Sequence, residues 1–166
     1  MLISLPENSL AIRRAAARLC NQLGWVVLHE VPLPNGRRAD ILALRQDGGF
    51  ACIEVKSGPR DFLTDSKWRD YRAYSDALYF AVDEDFPQAL LPEDTGLIVA
   101  CVGAGCSPGV LFAHDAEMLR EAPVHGLSLH RRRALTHRFA TLAAGRLAML
   151  EDPAITASLR AALRAE

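Results

Sequence analysis

The chain has 166 residues of near-average composition, 50% hydrophobic and 23% charged, with a formal net charge of −1. That length fits one domain with a proper core and leaves little room for a second. The hydrophobic content excludes a mostly disordered chain, and no apolar run approaches the roughly 20 residues a membrane helix needs. An N-terminus without a basic start and apolar stretch predicts a cytoplasmic protein.

Charge says more when divided by position. Of the 19 cations, 17 are Arg, and only Lys56 and Lys67 are Lys. Residues 1–45 carry six Arg against three acids, residues 46–119 five cations against 13 acids, and residues 120–166 eight Arg against four acids. An acidic middle thus lies between basic ends. A near-neutral chain binds DNA through a local patch or is delivered by a partner. Cys20, Cys52, Cys101 and Cys106 form no CxxC pair, which predicts free, mostly buried thiols rather than a zinc site.

Asn8 or Ser9 can cap a first helix, with Ile12, Ala16, Leu19 and Leu23 at helical spacing and Gly24 as the stop. Trp25–Leu28 reads as a strand continuing toward Val31. Asn35-Gly36 is a hairpin signal, because both residues tolerate positive φ. Arg38–Leu44 forms the next strand, Asp47-Gly48-Gly49 a second turn, and Phe50–Lys56 a third strand. After the Ser57-Gly58-Pro59 break, Thr64 or Asp65 can cap a helix through about Tyr74. Ala77–Val82 and Leu97–Val102 read as strands buried on both faces. A Gly-rich loop then precedes a short apolar piece, Val110–Ala113. Leu135, Phe139, Leu142, Ala143 and Leu150 mark a long helix, and Asp152-Pro153 starts a last short one. The fold class is α/β, with a mixed sheet flanked by helices.

The sharpest chemical feature is Asp40 followed at a distance by Glu54-Val55-Lys56. Strand side chains alternate faces, so Glu54 and Lys56 share one side, and the adjoining hairpin strand can bring Asp40 beside Glu54. Burying such charges unpaired costs several kcal/mol, so they must be paired, solvated or bound to metal. Two converging carboxylates make a hard-oxygen site for Mg²⁺. Such an ion acidifies a bound water and stabilises charge on a phosphoryl oxygen. Lys56 could position that water or neutralise the phosphate. The bland alternative is a solvated strand end with an ordinary surface ion pair.

At these residues the chain resembles the PD-(D/E)XK nuclease superfamily and, more closely, the MmcB-like family of bacterial DNA-repair proteins. The resemblance is carried by Gly36-Arg37-Arg38-Ala39-Asp40-Ile41 and Ile53-Glu54-Val55-Lys56-Ser57. It continues through Asp61-Phe62, Asp65-Ser66-Lys67-Trp68, Tyr71, Phe80-Ala81-Val82, Leu91-Pro92 and Gly96-Leu97-Ile98-Val99. It implies a single nuclease-like domain over residues 1–166 with C-terminal helices and a restriction-endonuclease-like core. It further implies Mg²⁺- or Mn²⁺-dependent DNA cleavage in the damage response. By that likeness Asp40, Glu54 and the backbone carbonyl of Val55 would be metal ligands, and Lys56 the catalytic lysine. The implied partners are DNA and a translesion or repair polymerase complex, with a nucleoid-associated location. Ala39 stands where the superfamily has Pro, and the Cys101–Ala113 segment departs from the family pattern.

Further candidates carry two readings each. Glu7, before the first helix, and Glu30, at the end of the first strand, are candidate third carboxylates; an acid at a helix start also simply favours the dipole. Lys67 and Tyr71, four apart on the expected helix, share a face on which Lys67 could hold a phosphate. Trp68 reads as core, and Asp61 and Asp65 as caps or turn formers. Arg37 and Arg38 are placed to grip phosphate, or are a solvated hairpin end. Arg131, Arg132 and Arg133 open the long C-terminal helix, where they disfavour the dipole unless an anion compensates. The rival to a nuclease is a non-catalytic DNA- or partner-binding module on the same fold. No P-loop or dinucleotide fingerprint supports an enzyme acting on small phosphate esters.

Overall fold

The computed structural model describes residues 5–102 and 115–151. The chain forms two compact units, 1–129 and 130–166.

Helix α1 spans Leu5–Gln22. Ile12, Ala15, Ala16, Leu19 and Cys20 are buried along it, the stripe that 3.6 residues per turn produces. It begins earlier than Asn8 or Ser9 because Pro6, which needs no N–H partner there, sits in its first turn. The Asn8 amide donates instead to Asp83 at 2.7 Å. Gly24, at φ 75°, ends the helix and lets the Trp25 N–H reach the Cys20 carbonyl at 2.9 Å.

The strands are β1 (Val26–Pro32), β2 (Arg38–Leu44), β3 (Phe50–Val55), β4 (Ala77–Asp83), β5 (Gly96–Ala100) and β6 (Ala116–Arg120). They form one six-stranded mixed sheet in sequence order. β1, β2 and β3 are an antiparallel meander, β3, β4 and β5 run parallel, and β6 returns antiparallel. Ile41, Ile53, Tyr79 and Ile98 pack with the apolar face of α1 in one buried cluster. The alternate residues face the other side. There Phe80 takes edge-on contacts from Phe62 and Trp68, with ring centroids 5.3 and 5.5 Å away. Trp68 is therefore core, as the sequence suggests. The expected α/β class, a mixed sheet flanked by helices, is what the chain forms. This arrangement is consistent with a restriction-endonuclease-like core.

Two expectations need correction in the crossover from β3 to β4. Helix α2 runs Pro59–Thr64, so Thr64 and Asp65 end a helix rather than start one. Pro59 opens it, since its fixed φ suits the first helical position. The segment Trp68–Tyr74 is a 3₁₀ helix. At three residues per turn, Lys67 and Tyr71 do not share a face. Strand β6 was not expected at all, while Val110–Ala113 and the helix at Asp152-Pro153 lie outside the described residues. Cys20 and Cys52 are free and buried, but Cys101 is disulfide-bonded.

In the second unit, α3 covers Leu129–Leu150, with Leu135 and Phe139 buried and Arg131, Arg132 and Arg133 near its start. Among the described residues no helix is long and apolar enough to cross a membrane.

Candidate active site

Two glycines set the geometry. Leu33 N–H bonds to the Arg37 carbonyl at 2.8 Å, closing a three-residue turn that ends on Gly36 at φ 78°. Arg45 N–H bonds to the Gly49 carbonyl at 2.8 Å, closing a second such turn that ends on Gly48 at φ 79°. A three-residue hairpin loop needs a left-handed residue at that place, and glycine takes it without steric cost. The registers that follow pair His29 with Ile41, Val31 with Ala39, and Ile41 with Ile53. Glu30 therefore stands opposite Asp40, and Asp40 opposite Glu54, one acidic position on each of three neighbouring strands.

Asp40 and Glu54 are tied to one another's strands. The Val55 N–H donates to Asp40 Oδ2 at 2.8 Å, and the Asp40 N–H donates to Glu54 Oε1 at 3.3 Å. The Cys52 thiol also lies 3.7 Å from Glu54 Oε1. Glu54 is only 4% exposed. Burial, reinforced by the neighbouring Asp40, pushes its carboxyl up to about 8. Burial also raises Asp40, against the opposing pull of the Val55 N–H and the Arg13 guanidinium. Two adjacent carboxylates that resist ionisation together fit a divalent cation, which would let both ionise.

Lys56 follows directly. Its N–H bonds to the Ala81 carbonyl at 2.9 Å, fixing the chain where β3 ends. Its side chain is 6% exposed and its Nζ lies 2.6 Å from Asp65 Oδ2. Burial works to raise Asp65, but the Lys56 bond and the Lys67 N–H outweigh it and hold this carboxyl below its ordinary value. Asp65 thus has a part that a reading as a cap or turn former did not give it. Asp61 does act locally, accepting from the Ser57 N–H at 3.2 Å. Tyr71, on the 3₁₀ helix, donates to the Arg38 carbonyl at 3.1 Å. Burial, then the nearby Glu54, pushes its phenol well above the ordinary range.

An open cleft of about 420 Å³ gathers these groups. Asp40, Glu54, Val55 and Lys56 form its floor, and Arg38, Asp65 and Tyr71 border it, with Ser9, Asp61 and Thr64 completing the wall. Glu7 is exposed in the first turn of α1 and does not line it. Lys67 is exposed at the head of the 3₁₀ helix and does not line it either. Arg37 pairs with Asp70 at 3.0 Å. Glu30, at φ 51°, is the one non-glycine residue with positive φ among those described, and its carboxylate pairs with Arg13 and Arg38. No group of three or more His, Cys, Asp or Glu residues able to hold a metal occurs among the described residues. The oxygens that could hold a cation in this cleft are those of Asp40 and Glu54, with the carbonyl of Val55 and water, a composition that would suit Mg²⁺.

Arg13 escaped the sequence reading. It lies on α1 beside Ile12 of the apolar stripe, and its Nη2 donates to Asp40 Oδ1 at 3.2 Å. Nothing in its local sequence separates it from the neighbouring Arg14; only the packing of α1 on the sheet brings it to the acids.

The model of the DNA repair protein MmcB-like family matches residues 3–154. Among solved structures the chain is similar to SPO1766, a protein of unknown function from Silicibacter pomeroyi. The two are 38% identical, and the match covers 88% of this chain and 92% of that one with a TM-score of 0.75. No curated protein matches the chain.

Proposed function

The chain belongs to the MmcB-like family of DNA repair proteins, and we propose that it is a metal-dependent DNA endonuclease hydrolysing phosphodiester bonds in repair. The observation that carries this reading is the pair of register-matched, half-buried to buried carboxylates, Asp40 and Glu54, facing one cleft with Lys56. Asp40, Glu54 and the Val55 carbonyl would hold Mg²⁺ or Mn²⁺. That ion would acidify a water and stabilise charge on a phosphoryl oxygen.

The remaining work falls to the chain. The Val55 N–H fixes the rotation of Asp40. The Lys56 ammonium, steadied by Asp65, offers donors to the attacking water and balances negative charge as it gathers on the phosphate. Arg38, at the cleft mouth, contacts the DNA backbone; Arg37 and Lys67 contact it further out. With a net charge of −1, targeting comes from a particular DNA structure or from a repair polymerase complex that delivers the protein.

A second reading, a binding module without catalysis, is favoured by one observation. Lys56, Arg37 and Arg38 each already carry a carboxylate of the chain itself. The test is cleavage of a labelled panel of single-stranded, duplex, nicked, flapped and crosslinked DNA with Mg²⁺, Mn²⁺ or EDTA. Wild type should give metal-dependent products, and Glu54→Gln should lose them while keeping DNA binding. Products that persist undiminished in Glu54→Gln would end the nuclease assignment. Tight DNA binding with no products from any substrate would favour the module.

A further inference from the structure

We infer that Arg13 stands in for a second divalent ion, so that this centre takes one metal and Glu30 takes none. The inference rests on the nuclease reading above and deepens it.

The registers place Glu30, Asp40 and Glu54 on adjacent strands at facing positions. A row of three carboxylates could hold two ions about 4 Å apart, bridged by the middle one. Like charges directly opposite are also destabilising unless a cation intervenes. Arg13 supplies that cation from α1. Its Nη2 lies 3.2 Å from Asp40 Oδ1, and its Nη1 is bonded to Glu30. Arg38 holds the other oxygen of Glu30.

The two oxygens of Asp40 are therefore divided. Oδ2 is turned to the Val55 N–H, on the Glu54 side, while Oδ1 is the oxygen a second ion would share with Glu30. Arg13 occupies that side with a charge carried by the chain itself. Its side chain is 20% exposed, too enclosed to be displaced at little cost. The left-handed backbone at Glu30 is unusual for a residue with a side chain and is kept only where the surroundings impose it. Here two arginines hold its carboxylate, consistent with an ion-paired rather than a metal-binding acid. Arg13 is a positioning residue: it orients Asp40 and closes the second seat.

The test is a Mn²⁺ titration of the full chain by calorimetry, with electron paramagnetic resonance of the bound ion. Wild type should bind one Mn²⁺ with an uncoupled spectrum, lost in Glu54→Gln. Arg13→Gln keeps the length of the side chain and removes its charge. It should bind a second Mn²⁺ and show the spin coupling of two neighbouring ions. Glu30→Gln should still bind one Mn²⁺ with an uncoupled spectrum; because it leaves Arg13 in place, it serves if Arg13→Gln does not fold. Two coupled ions in wild type would overturn this inference and leave the nuclease reading standing. So would a folded Glu30→Gln variant that no longer binds Mn²⁺, or a folded Arg13→Gln that still binds one ion. No Mn²⁺ bound by wild type would remove both.

Discussion

At the scale of single residues, Glu54 is the most consequential side chain, because its burial and its partner work against its charge. Its carboxyl is raised from an ordinary 4.5 to about 8 in the folded chain. Between those values the folded state holds a proton that the unfolded state releases. Stability without metal therefore falls as pH rises through that window, by at most about 1.4 kcal/mol per pH unit. Thermal melts in EDTA should show the midpoint dropping from pH 5 to pH 8, and Glu54→Gln, which cannot ionise, should flatten that slope. A wild-type melting curve that does not move with pH would contradict the burial argument. Metal binding has the opposite pH dependence: it needs the carboxylate, so affinity should rise toward pH 8 and loading should release a proton. Asp40, Glu54 and Lys56 were legible as a group because strand alternation alone puts Glu54 and Lys56 on one side. Arg13 was not, since α1 meets Asp40 only through packing on the sheet, and the pairing of Lys56 with Asp65 was not, since it depends on a helix that ends at Thr64 rather than starting there.

At the scale of elements, the sheet was legible wherever turns and apolar runs agreed. β2 is as expected, and β3 and β4 differ by one residue at an end, because each is bounded by a Gly turn or a polar break. β6 was invisible: Ala116–Arg120 has no β-branched residue, and Glu117 and Leu119 are exposed on this edge strand. Edge strands carry weaker patterns because only one neighbour constrains them. The junction holding the first unit together is equally hard to read. Asp76, at 2% exposure, accepts from the Phe50 N–H at 2.7 Å and from the Leu127 N–H at 2.8 Å. One carboxylate thus ties the start of β3 to the segment after β6. Asp76→Ala would leave the buried Phe50 N–H without that acceptor, at about 1–3 kcal/mol, and would also take the partner of the half-buried Leu127 N–H. Chemical denaturation should report a loss of about 2–5 kcal/mol, with Asp76→Asn milder because its carbonyl still accepts one bond. A loss below about 0.5 kcal/mol, the range of ordinary surface changes, would mean the junction is held by other contacts.

At the scale of the whole molecule, the division of charge is the feature most directly tied to function. The site lies in the unit that contains the acidic middle, whereas Arg131, Arg132 and Arg133 begin the helix of the second unit. Three arginines at a helix start oppose the dipole, so an anionic partner gains there twice, from their charge and from the relief of that mismatch. If the partner is the DNA backbone, each phosphate contact adds about 0.9 to the dependence of log affinity on log salt. Replacing all three with Gln should weaken DNA binding similarly for every sequence tested and reduce the salt slope by up to about 3. Mn²⁺ binding at Asp40 and Glu54 should be unchanged, because the carboxylates and their hydrogen bonds belong to the first unit. Fluorescence anisotropy across a salt series, beside a Mn²⁺ titration of the same variant, separates the two contributions. A variant with full DNA affinity and an unaltered slope would place the DNA contacts on the cleft side, at Arg37, Arg38 and Lys67. The C-terminal arginines would then be assigned to an acidic protein partner instead.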